Sequence, residues 1–171
     1  MAETLDSFAA ACRDILRVDN TPAGRQRIAD RLRIALAEPA FVAAQFAGHT
    51  SERHVLYEDP ELGFCILAHD YVGARDSRPH DHGPSWAIYG QAAGQTSMSD
   101  YALLQPASAG AAGKVRRSRS YTLSPGDVHV YNEGDVHSPS RAGPTRLIRI
   151  EGVNMDRVQR ARYEVAAARQ S

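Results

Sequence analysis

Gly126-Asp127-Val128-His129-Val130-Tyr131-Asn132-Glu133-Gly134-Asp135-Val136-His137 reads as a strand, a tight turn and a returning strand. Upstream lies Pro79-His80-Asp81-His82-Gly83. In an extended backbone, side chains alternate with period two, so His80 and His82 share one face and Asp81 takes the other. Two imidazoles on one face form half of a metal site. A third ligand must come from elsewhere in the fold, and the strand-turn-strand segment brings histidines at 129 and 137. Alone, a His-x-His pair is more often structural than ligating.

Working outward, short strand-like runs alternate with turn residues from about Arg53. They cover 54–57, 63–69, 86–89, 98–104, 120–123, 128–131 and 145–150. Asp59-Pro60, Ser124-Pro125-Gly126-Asp127 and Ala142-Gly143-Pro144 punctuate them. This spacing predicts an antiparallel sandwich or barrel. The Ala-, Gly- and Ser-rich stretch from Gln105 to Ser120 reads as one long surface loop. The first third reads as two helices. Leu5, Phe8, Ala9, Cys12, Ile15 and Leu16 form one stripe, and Thr21-Pro22 opens a second helix buried through Ile28, Leu32, Ala35 and Leu36. Pro39 ends that helix. From Asn154, a plausible N-cap, the composition predicts a short C-terminal helix through about Ala168. The division is therefore 1–48 helical, 49–153 barrel and 154–171 helical tail.

A chain of 171 residues with 43% hydrophobic content makes one domain with a helical extension. Lys+Arg and Asp+Glu are 20 each, so there is no basic footprint for nucleic acid and no polybasic membrane anchor. No apolar run is long enough for a membrane span. The acidic, amphipathic N-terminus is not a secretory signal, which predicts a cytoplasmic protein. Two cysteines in unrelated contexts make no disulfide framework, and Cys65, in an apolar strand, reads as a small hydrophobe.

Together the two histidine segments resemble the cupin superfamily, whose motifs run G-x5-H-x-H-x3-4-E-x6-G and G-x5-P-x-G-x2-H-x3-N. Gly126, Gly134 and His137 fall in register with the second, with Asn132 in place of the proline and Arg141 in place of the asparagine. His80, His82 and Gly94 match the first, and Gly73 sits one residue early. The resemblance implies an all-β fold, a cupin double-stranded β-helix or jelly-roll barrel, with His80, His82 and His137 as metal ligands. The motif glutamate would fall at Trp86 or Ala87, and neither can ligate. Three histidines without a carboxylate look like the thiol dioxygenases of the cysteine dioxygenase type, which use non-heme Fe(II). Zn, Ni or Mn are alternative occupants. In that branch an arginine at a closely similar offset to Arg53 binds the substrate carboxylate, as a planar guanidinium suits. The branch also carries a tyrosine on the strand after the third ligand. Here that strand places Leu147, Arg149 and Glu151 on the matching face, so no tyrosine is in the expected place.

The resemblance implies a cytoplasmic Fe(II)-dependent dioxygenase that oxidises a small organic acid, a thiol among the candidates, with O2. Its partners would be an anionic small molecule and O2, with a homodimer plausible. Arg53, Arg149 and Glu151 are the candidate catalytic residues, although Arg149 and Glu151 read equally as an ion pair. Trp86 and Tyr89 are candidate pocket residues, Trp86 reading equally as core. His129 reads as structural, and His49, His54 and His69 as surface or core-edge residues. Competing readings are a Zn- or Ni-dependent lyase, isomerase or hydrolase, and a binding protein without turnover.

Overall fold

The N-terminal third forms three helices, one more than the sequence pattern suggested, in a computed structural model that describes residues 3–167. α1 (Leu5–Val18) is opened by a capping box between Thr4 and Ser7. α2 (Pro22–Leu36) and α3 (Pro39–Phe46) each begin on a proline. Proline lacks the N–H that a first turn leaves unpaired and has a helical φ, so Pro39 starts a helix as well as following one.

Ten strands follow: β1 (Arg53–Glu58), β2 (Cys65–Tyr71), β3 (Arg75–Asp76), β4 (Ala87–Ala93), β5 (Thr96–Gln105), β6 (Gly113–Leu123), β7 (Val128–Tyr131), β8 (His137–Arg141), β9 (Thr145–Glu151) and β10 (Tyr163–Val165). They make two five-stranded sheets, ordered β1-β2-β9-β4-β7 and β10-β6-β5-β8-β3. The chain crosses between the sheets along its length, and the two sheets face each other as the jelly roll of a double-stranded β-helix. Among the described residues no helix is long and apolar enough to cross a membrane.

The first sheet has two different faces. Ile66, Ala68, Ile88, Ile148 and Ile150 point outward and pack beneath Phe8, Cys12, Ile28, Leu32 and Phe41 of the helices. Burying each such Ile, Leu or Phe side chain contributes roughly 1.5–3 kcal/mol. α2 approaches closely because β4 carries Gly90, where a Cβ would lie 2.6 Å from Leu32 Cδ2. Gly94, the closing glycine of the first motif, has φ +66°, and a Cβ there would meet the Pro144 carbonyl oxygen at 2.3 Å. Only glycine fits that corner. The inward face carries the alternate residues, among them Tyr89 opposite Arg149 and Ala87 opposite Glu151.

Two expectations are corrected here. The predicted loop from Gln105 to Ser120 is mostly strand: β5 and β6 pair as a long hairpin, and Lys114, Arg116, Arg117 and Arg119 lie on β6. Much of β6 faces solvent, so it lacks the apolar alternation that would mark a half-buried strand. The predicted C-terminal helix is also absent among the described residues. Asn154 does cap, accepting from the Asp156 N–H at 3.2 Å, but only a 3-10 turn over Met155–Arg157 follows. The chain then runs into β10, which pairs in parallel with Gly113–Val115 of β6. Ladder bonds along an open sheet edge take the place of helical ones. Ala168 lies outside the described residues.

Asp59 ties α1 to the barrel. Its carboxylate accepts from Arg13 Nε at 2.6 Å, from the Tyr57 hydroxyl at 2.9 Å and from the backbone N–H groups of Glu61 and Leu62 at 3.0 and 2.7 Å. Burial alone would raise its pKa, but the Leu62 N–H, Arg13, Tyr57 and the Glu61 N–H together bring it down to about 2 from 3.8. A depressed carboxylate contributes stability above its unfolded pKa and loses it as pH falls through the folded value. Asp59→Asn is therefore expected to cost about 2 kcal/mol at neutral pH. In urea melts this gap to the wild type should close between about pH 4 and pH 2. A gap that is unchanged at both ends of that window would contradict the assignment.

Candidate metal centre

His80 lies outside the regular strands, yet its backbone exchanges two hydrogen bonds with His137. Each N–H donates to the other's carbonyl at 2.9 Å. Residues directly opposed in an antiparallel bridge project side chains from the same face, and the two imidazole centroids are 4.7 Å apart. His82 follows two residues later and stacks on His137 at 5.1 Å. One ring nitrogen from each of the three lies within 4.8 Å of the others. Asp81 turns away, accepting from the Tyr163 hydroxyl at 2.6 Å and the Gly83 N–H at 3.0 Å.

The cluster fits a divalent transition metal. His80 Nδ1 is 2.8 Å from the Arg78 carbonyl and His137 Nδ1 is 2.9 Å from the Asp135 carbonyl. Carbonyls only accept, so both Nδ1 atoms donate and both Nε2 atoms keep a lone pair for a ligand. His82 Nδ1 is buried without a partner. All three rings are neutral at physiological pH. Burial, opposed in part by the Arg78 carbonyl, takes His80 down to about 4. Burial first, then neighbouring charge, pushes His82 and His137 well below the usual imidazole range. Neutral imidazoles suit Zn, Cu, Fe and Ni.

Tyr89 completes the centre. It is fully buried on β4, and its hydroxyl lies 3.3 Å from both His82 Nε2 and His137 Nε2. The Arg149 guanidinium sits over its ring at 4.1 Å. Burial raises the Tyr89 pKa despite Arg149, so the hydroxyl stays protonated. Behind His137, the Tyr131 ring stacks at 3.8 Å, and its hydroxyl meets Tyr121 at 2.6 Å. Tyr121 in turn donates to Asp100 at 3.1 Å.

Beside the histidines a cavity of about 340 Å³ is lined by Tyr71, Arg78, His80, Arg141, Arg149 and Arg160 among others, with no Asp or Glu among the described residues on its walls. Arg141 is 2% exposed and lies against Tyr71 at 4.4 Å, with Nε and Nη2 buried and unpartnered. Arginine stays charged at any physiological pH, so these are charged donors without acceptors.

The structure sorts the sequence candidates. Arg149 lies in this cavity and contacts Glu151 at 3.4 Å. Glu151 is fully buried and also bound by Arg53 at 3.1 Å, so it sits in an ion-pair network. Arg53 is held by Asp156 and Asn154 as well, at 2.5 and 2.9 Å, which leaves its guanidinium engaged away from the cavity. Trp86 does not wall the pocket. The turn at 83–85 breaks the alternation counted from His82, and Trp86 packs outward with the helix core, under Arg25 at 5.3 Å. His129 faces inward but lies against Tyr121 and Tyr131 with its ring tilted to both, outside the three-histidine group. His49 and His54 stack on each other at 4.4 Å. His69 is a correction: it is buried, 3.0 Å from the Tyr71 hydroxyl. Cys65 is buried, and burial pushes its thiol up to about 11. Arg141, Arg160 and the Tyr131-Tyr121 pair went unread. For Arg141 a signal existed, since a charged residue replaces the motif asparagine four positions after His137.

No protein-family model matches the chain, and no curated protein matches its sequence. Among solved structures it is similar to KdgF from Halomonas sp., with 16% identity over 58% of this chain and 74% of that one and a TM-score of 0.45. It is also similar to a cupin superfamily protein from Desulfitobacterium hafniense, with 11% identity, 66% and 87% coverage and a TM-score of 0.44. An uncharacterized conserved protein with a double-stranded β-helix domain from Klebsiella pneumoniae gives 13% identity, 72% and 88% coverage and a TM-score of 0.48. At these identities none of them passes a substrate or a residue role to this chain.

His137→Ala should reduce bound divalent metal from stoichiometric to near zero after dialysis. His129→Gln, outside the group, should retain it. Elemental analysis with circular dichroism as the folding control checks the pair, and equal metal loss in both would remove the assignment.

Proposed function

We propose that the chain is a metal-dependent oxygenase, in which His80, His82 and His137 hold Fe(II) and the adjacent cavity takes a small anionic acid. The observation that carries this reading is the juxtaposition of three neutral imidazoles, with no carboxylate among them, and a cavity of unpartnered guanidinium donors. Bound Fe(II) would supply open positions for substrate and O2 together with reducing electrons.

The residues of the chain do the rest. Arg141 and Arg149 bind the carboxylate, a role Arg53 is not free to play because acids already hold it. Their rings of contact, Tyr71 and Tyr89, fix the orientation of each guanidinium. Tyr89 keeps its proton on Oη and holds it beside His82 and His137, where it would serve as a hydrogen-bond donor at the site. In this reading Tyr89, on the neighbouring strand directly opposite Arg149, stands in for the tyrosine absent from the Leu147–Glu151 strand. Leu147, Met98 and Leu123 line the barrel interior and keep water from the reacting groups.

Protein loaded anaerobically with Fe(II) and then exposed to O2 should consume it only in the presence of a substrate acid, across a panel of thiol and diketone acids. Arg141→Met should raise KM by about tenfold or more, and Tyr89→Phe should act mainly on kcat. Absence of substrate-dependent O2 uptake, or turnover that persists under argon with Zn bound, would contradict the oxygenase reading.

A further inference from the structure

We infer that the cavity beside His80 selects a small acid with two separated anionic groups. The inference rests on reading this cavity as the substrate site, and it assigns the substrate class. Its arginines lie at two depths. The inner pair, Arg141 and Arg149, is largely buried, and Nε of each, with Nη2 of Arg141, is shielded from water without an acceptor. The nearest acid, Glu151, is 3.4 Å from Arg149 and shared with Arg53.

The outer pair, Arg78 and Arg160, is exposed at the same cavity, and among the described residues neither forms an ion pair with an acid. Most arginines elsewhere in the fold do pair with an acid, although among the described residues the exposed Arg116, Arg117 and Arg162 do not. All six helix arginines, Arg13, Arg17, Arg25, Arg27, Arg31 and Arg33, meet a carboxylate.

Both outer residues are tied to the metal centre. The Arg78 carbonyl fixes the His80 ring, and Arg160 lies on the segment leading into β10, whose Tyr163 holds Asp81. Like charges gathered around one cavity repel each other and any bound dication, and anionic groups in the cavity would relieve that repulsion. One carboxylate satisfies the inner pair and leaves the outer pair unmatched. A second anionic group at the mouth matches both, and ~340 Å³ is room for such a molecule.

Titration calorimetry of the metal-free protein at neutral pH and fixed ionic strength, with succinate against butyrate, tests this without metal or oxygen. A failure to consume O2 therefore leaves it standing, and its own failure leaves the oxygenase reading standing. Succinate should bind about tenfold tighter or more than butyrate, which has the same carbon chain and one carboxylate. The exposed double variant Arg78→Ser/Arg160→Ser should bring succinate down to the butyrate affinity, and Arg141→Met should weaken both acids. Equal affinity for the two acids, no binding of either, or a succinate preference that survives the double variant would overturn it.

Discussion

Two reciprocal backbone hydrogen bonds between His80 and His137 hold the site together. The His-x-His segment belongs to no regular strand, and this single bridge sets its register against β8. Because opposed residues share a face, the bridge points two imidazoles the same way, and the two-residue period brings His82 alongside them. Asp81, forced to the other side, is held by Tyr163 of β10. β10 is thereby coupled to the candidate metal centre. A slip of one residue would bring Asp81 inward in place of the histidines and lose the centre.

The second organising feature is a division of labour between the faces of one sheet. Apolar burial is concentrated outside the barrel, where the helices cover Ile66, Ile88, Ile148 and Ile150. The inside can then hold groups that cost stability: neutral histidines, buried tyrosine hydroxyls, Glu151, Arg141 and Arg149. Unsatisfied polar atoms cluster there too, including His82 Nδ1 and Arg141 Nε. In a well-packed protein such atoms are rare, and ordered water or a ligand supplies their partners.

How far the sequence revealed this depends on whether a feature is local. The three histidines, the glycine corners and the barrel were legible because spacing and turn chemistry encode them. β6 and β10 were not, since their order comes from neighbouring strands and their own residues are charged or small. Trp86 takes the core reading of its two alternatives, because counting faces from His82 fails across the turn at 83–85. Arg53 matched a family position, but its engagement by Glu151 and Asp156 depends on residues about a hundred positions away. Tyr89 was named as a pocket residue, while its closeness to two ligands follows from cross-strand pairing that no local pattern specifies.

The central claim is that His80, His82 and His137 form one metal site without a protein carboxylate. X-ray absorption spectroscopy of the Fe(II)-loaded protein, compared with His82→Ala, tests it most directly. The account predicts imidazole scattering from three ligands in the wild type and from two in the variant. A spectrum fitted by fewer than three imidazoles, or one left unchanged by the substitution, would contradict it.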